Sequence, residues 1–118
     1  KLKARMATCM VGADNGSALT DTDDQADIFV NRLGTGVHIT EVFCRSDGGT
    51  PIINLQRNDG TPANILTTNL TCNTSGATTT SFVSGEDAIS NAYAVNFVMV
   101  TAGGTAKRVT VVVQYTLD

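Results

Sequence analysis

The chain has 118 residues, with 8 Lys plus Arg against 11 Asp plus Glu, a net charge of −3 and 42% hydrophobic residues. This predicts one globular domain over residues 1–118, since folding a chain of this size removes about two-thirds of its surface from water. The apolar content excludes wholesale disorder, the acidic balance argues against a nucleic-acid surface, and no run approaches the roughly 18 apolar residues of a membrane span.

Trp is absent and aromatics make up 5% of the chain, so the core must be built from Val, Ile, Leu and Ala. The same shortage argues against sugar-stacking and base-stacking platforms. With neither an initiating Met nor a leader-like pattern, the sequence reads as processed or as part of something longer.

Period-2 alternation and β-branched residues dominate along the chain, and no stretch carries a helical period. Lys3 to Val11 reads as a first strand with Met6 and Met10 on one side. "GADNGSALTDTDDQAD" reads as loop, and "DIFVNRL" as a short strand closed by Gly34-Thr35-Gly36. "VHITEVFCR" alternates, placing Val37, Ile39, Glu41 and Phe43 on one face and His38, Thr40, Val42 and Cys44 on the other. "PIINLQR" follows across Ser46-Asp47-Gly48-Gly49, which predicts a hairpin.

"NDGTP" turns the chain into a further strand, "ANILTTNLTC". "NTSGATTT" reads as a flexible polar loop and "TTSFVSG" as a brief edge strand. "YAVNFVMVT" and "KRVTVVVQYTL" are the clearest strands, with a hairpin expected at Ala102-Gly103-Gly104. Val109, Val111, Val113 and Tyr115 share one face of the last strand. A Gly-Gly-Thr unit recurs 55 residues apart, at Gly48 and at Gly103, which reads as two similar hairpins in one sheet system. Seven to nine short strands at this spacing predict an all-β fold: an antiparallel β-sandwich, jelly-roll-like rather than immunoglobulin-like. The closing strand, "RVTVVVQYTL", must be central in its sheet or covered by another subunit, because a hydrophobic strand at an open edge invites aggregation. The second option is a reason to expect an oligomer.

Chemistry-bearing residues are few. Cys9, Cys44 and Cys72 fit no zinc or redox spacing. Either Cys44 and Cys72 form a disulfide, the favoured pairing, or all three are buried thiols. Asp21, Asp23, Asp24 and Asp27 supply carboxylates but not the spacing of a calcium loop, and read as a solvated acidic loop. His38 is the only histidine and no G-x-S-x-G elbow occurs, while Glu41 and the Glu86-Asp87 pair have nothing to bring them together. "AGGTAKR" lacks the Walker pattern and reads as a turn. N-x-[ST] sequons stand at Asn15, Asn69 and Asn73. No metal, no cofactor and no enzymatic activity are expected. The remaining candidate is the polar side of one strand, Asn54, Gln56 and Asn58, whose amides suit sugar hydroxyls or a polar subunit interface. The plainer alternative is a solvent-facing sheet surface.

The segments "TPIINLQRNDGTPANIL" and "FVMVTAGGTAKRVTVVVQYTLD", Thr-, Gly-, Asn- and Val-rich with few charges, resemble small β-sandwich modules of phage virions, namely decoration proteins and tail-fibre terminal domains. Bacterial surface adhesins and pilus-like subunits are similar in composition. The resemblance implies a virion or extracellular homo-oligomer, often a trimer, acting by self-association with other virion or surface proteins. An adhesin-like module binding carbohydrate or a receptor is the alternative.

Overall fold

The computed structural model describes residues 4–12 and 16–118. Lys3, Asp14 and the Asn15 sequon lie outside the described residues. The described residues form ten strands and no helix: β1 (Ala4–Gly12), β2 (Gln25–Val30), β3 (Val37–Ser46), β4 (Ile52–Asn58), β5 (Ala63–Asn64), β6 (Leu70–Thr71), β7 (Ala77–Thr79), β8 (Ala88–Ile89), β9 (Ala94–Thr101) and β10 (Arg108–Leu117). They build two antiparallel sheets. The first runs β1-β10-β3-β7, with β8 also on β3; the second runs β2-β9-β4-β5, with β6 also on β4.

The pairings are nested: β1 with β10, β2 with β9, β3 with β7, β4 with β5. A long antiparallel ribbon rolled so that its arms alternate between two sheets is a jelly roll. The core lies between the sheets. Val109, Val111, Val113 and Tyr115 of β10 are buried against Ile53, Leu55, Val95, Phe97 and Met99 of the second sheet. Phe29 and Tyr115 meet across the layers with ring centroids 5.1 Å apart.

β10 is central, flanked by β1 and β3 over nearly its whole length. The need for a second subunit to cover it therefore disappears, and the open edge passes to β1. That edge carries Arg5 opposite Tyr115, on the inward side, and an inward-pointing charge discourages edge-to-edge pairing.

Both expected hairpins are corrected. β3 lies in the first sheet and β4 in the second, and β9 and β10 are likewise divided, so each Gly-Gly-Thr unit is an arch that carries the chain between sheets. The two arches pack on one another. A Cβ on Gly49 (φ 65°) would lie 3.1 Å from the Thr105 Cβ, and Asp47 Oδ1 accepts the Lys107 and Arg108 N–H groups at 2.8 and 3.1 Å.

The alternation of β3 also departs from the expected pattern. Tyr115 pairs with Ile39 but Gln114 with Glu41, leaving Thr40 as the extra residue of a β-bulge. The buried set is therefore Val37 and Ile39, then Val42, Cys44 and Ser46. Thr40 Oγ1 donates to the Gln114 carbonyl, which occupies an acceptor at the interrupted ladder. "ANILTTNLTC" is not one strand: β5 and β6 are separated by a segment whose Ile65 and Leu66 are buried. Strand β7 falls inside the expected polar loop, while "TTSFVSG" contributes only a Leu66–Phe82 bridge and the end of β7.

Candidate functional site

The outer faces of the two sheets hold the surface chemistry. Residues directly opposite in antiparallel pairs share a face, so the registers assign them. On the second sheet, Asn54 pairs with Val98, and Gln56 with both Asn96 and Asn64. These look away from the core that Leu55 and Phe97 enter.

Asn54 nevertheless is only 3% exposed. The segment between β5 and β6 folds over it, and its side chain is fully engaged. Nδ2 donates to the Leu66 carbonyl and Asn69 Oδ1, while Oδ1 accepts the N–H groups of Leu55 and Leu66. Asn54 is thus an internal staple out of a ligand's reach. Gln56 is half-buried and donates to Asn64 Oδ1, and Asn58 Oδ1 accepts the Gly60 N–H in the turn. A shallow depression of about 280 Å³ remains, lined by Asp24, Gln25, Gln56 and Asn96 among others. Of the sequons, Asn69 is exposed, and Asn73 is half-buried with its Oδ1 accepting the Ser75 N–H.

The acidic loop is more than a solvated one. Asp21 Oδ1 accepts the Ala102 N–H and Asp24 Oδ1 the Met99 N–H, both at 2.8 Å, while Asp23 Oδ2 accepts the Thr20 N–H. The first two fasten the loop to β9 and to the residue just after it. Asp27 holds a φ of 55° within the irregular part of β2, and its N–H donates to Asn96 Oδ1. No cluster of three metal-ligating side chains occurs among the described residues.

His38 pairs through Nδ1 with the Asp118 carboxylate, both side chains about half exposed. Arg57 and Glu86 form a half-buried ion pair at 3.3 Å, which joins residues 29 apart and is invisible to local pattern. Glu41 stands in β3 beside Gln114. Buried Asn31 was also missed: its Nδ2 donates to the carbonyls of Thr35 and Ile89, tying the end of β2 to β8. A disulfide joins Cys44 and Cys72, with Cα atoms 5.5 Å apart, and Cys9 is a free thiol.

The outer face of the first sheet differs. Three strands contribute Met6, Thr8 and Met10 from β1, Gln114, Val112 and Thr110 from β10, and Glu41, Phe43 and Arg45 from β3. Met6 and Met10 are 67% and 61% exposed. Phe43 leans on Gly76, where a Cβ would come within 2.5 Å of its ring. At the Met10 end a second depression of about 280 Å³ is lined by Arg45, Asp47 and Arg108. The Asp47 carboxyl is held below the usual carboxylate range by the Lys107 N–H, against the opposing effect of desolvation, with further help from the N–H and charge of Arg108.

No protein-family model and no curated protein sequence matches the chain. Its fold is similar to that of a chain in the acidic stable capsid of Helicobacter pylori bacteriophage KHP30 (15% identity, 97% of this chain and 87% of that one, TM-score 0.56). It is also similar to a chain in the capsid of Ralstonia phage GP4 (11% identity, 100% and 85% coverage, TM-score 0.57). The chain is an all-β jelly-roll sandwich of a kind found in phage capsids.

Proposed function

We propose that the protein is a non-enzymatic structural subunit of a virion or extracellular assembly, of decoration, fibre or filament type, acting by self-association. The observation that carries this reading is the outer face of the first sheet, where two methionines, Val112 and Phe43 form an apolar strip. Met6 and Met10 are exposed, with half-buried Val112 and Phe43 beside them, and exposed apolar patches are often functional. The capsid setting of the similar folds supports the same direction.

Light scattering over a concentration series tests it. The expected result is a mass that rises above that of one chain, together with recovery of the chain in a particle or filament fraction from its source. A clean monomer at high concentration that binds glycans on an array would overturn it. The depression at Gln25, Gln56 and Asn96 favours a second reading, a carbohydrate- or receptor-binding module. Its amides would both donate to and accept from hydroxyls, and Gln56→Ala should then abolish glycan binding.

A further inference from the structure

We infer that the outer face of the first sheet binds a second copy of this chain about a two-fold axis running across the strands through Thr8, Val112 and Phe43. The inference rests on the self-association reading and gives it a surface and a geometry. Thr8, Val112 and Phe43 form one row, since Thr8 and Phe43 both pair with Val112. On either side of the row, two residues away, β1 sets like against like and β3 opposite against opposite. Met6 and Met10 flank Thr8, and Glu41 and Arg45 flank Phe43.

Rotation by 180° about an axis lying along that row turns the two faces together and reverses the strand direction. Met6 then meets the partner's Met10, and Glu41 meets the partner's Arg45. Each contact occurs twice, as any contact off the axis of an isologous interface must. Phe43 and Val112 lie over their own copies at the centre. The register is unbroken here because the Thr40 bulge falls just beyond Glu41.

Neither Glu41 nor Arg45 has an ion-pair partner among the described residues. In the paired form each gains one, at the rim of an apolar centre. The depression lined by Arg45, Asp47 and Arg108 would receive the partner's Glu41 carboxylate beside the Arg45 guanidinium, with Arg108 shared with Asp47 at 4.0 Å. Face-to-face sheets pack with strands within about 30° of alignment, which the rotation allows. Three strands of roughly nine residues, at spacings of about 4.8 and 3.4 Å, present about 400 Å² per copy. That is about half of the ~800 Å² of a standard interface, so the contact is weak alone and suits an assembly in which several contacts act together.

Sedimentation across a concentration series tests the inference on four proteins: the native chain, Glu41→Arg, Arg45→Glu and the double exchange. The native chain should pair as concentration rises. Each single reversal sets like charges opposite one another at two places and should weaken pairing ~10-fold or more. The double exchange rebuilds both ion pairs with their signs reversed and should recover most of the native affinity. At concentrations too low for pairing, all four should melt at one temperature, since neither side chain has an ion pair within the fold to lose.

A native chain that stays monomeric at millimolar concentration overturns the inference, and so does a double exchange as weak as the single reversals. If the native chain associates and ignores both single reversals, this contact is wrong while the assembly reading stands. If it neither associates nor occurs in any particle, the assembly reading falls too.

Discussion

The two sheets share one core but turn different chemistry outward. On the second sheet a covering segment, Ile65 to Asn69, lies over Asn54 and consumes its hydrogen bonds, leaving amides and a shallow hollow. On the first, Met6 and Met10 stand exposed, and between Glu41 and Arg45 lies Phe43, half-buried against Gly76. The edges differ as well. β2, the edge of the second sheet, has a register shift between Gln25 and Phe29 with Asp27 at positive φ, while β1 runs nine residues without a break. The irregular β2 resists pairing by its shape, and the regular β1 by the inward-side charge of Arg5. The lesson is that an amide on a strand face can belong wholly to the fold, as Asn54 does, while its neighbour Gln56 still borders a surface hollow.

The contrast can be attacked from several directions. The largest effect should come from replacing Cys44 and Cys72 together by Ala. Both are fully buried and their bridge ties β3 of the first sheet to the chain just after β6 of the second. Loss of about 3 kcal/mol is expected, read as a fall of roughly 10 °C in a calorimetric melt. An unchanged melting temperature would mean that the bridge does not join the sheets.

Next, Asn54→Ala should cost about 2 kcal/mol in denaturant unfolding, because the buried N–H of Leu66 loses its acceptor. Gln56→Ala, two residues along the same face, should stay within about 0.5 kcal/mol. Equal effects would erase the distinction between staple and surface on that strand. Asp24→Ala should cost about 1 kcal/mol by stripping the Met99 N–H of its partner, while added calcium or a chelator should leave the native melt unmoved. A calcium-dependent rise would return the acidic loop to the class of metal sites.

The smallest effect concerns Asp47, exposed where the two arches meet. Its folded pKa lies below its ordinary value, chiefly through the Lys107 N–H. Its contribution to stability is therefore fully present above the unfolded carboxylate value of about 3.9 and is lost as pH falls through the lowered folded value. Melting temperature against pH should drop over that acid window in the native chain and drop less in Asp47→Asn. Parallel curves would refute the assignment.

Much of the fold was legible in the sequence, because the alternation of β10 and of the middle of β9 maps directly onto burial. Val109, Val111, Val113 and Tyr115 all enter the core. What misled was everything that depends on distant partners. A Gly-Gly-Thr bend has the same local chemistry whether the next strand pairs beside the last or crosses to the facing sheet. The alternation of β3 looked unbroken because a bulge is defined by the neighbouring strand, here by Gln114 and Tyr115. Polar side chains at alternate positions of β4 promised a wet face, and only the fold reveals that Leu66 and Asn69 take up Asn54. The Met6–Met10 strip was visible as a pattern, but its match to Glu41 and Arg45 needed the register of three strands.

The nested pairing has a consequence in time. β1 is made well before the strand it lies against, since β10 is about a hundred residues further along. Until Arg108 to Leu117 has left the ribosome, β1 has no ladder to join and β3 lacks its main neighbour. Pairings that close such long loops are slow to form, so the first sheet can be completed only after synthesis has passed its last strand. Through that interval the newborn chain would present its methionine-bearing strand unpaired on both sides, and other nascent copies would be its most available wrong partners.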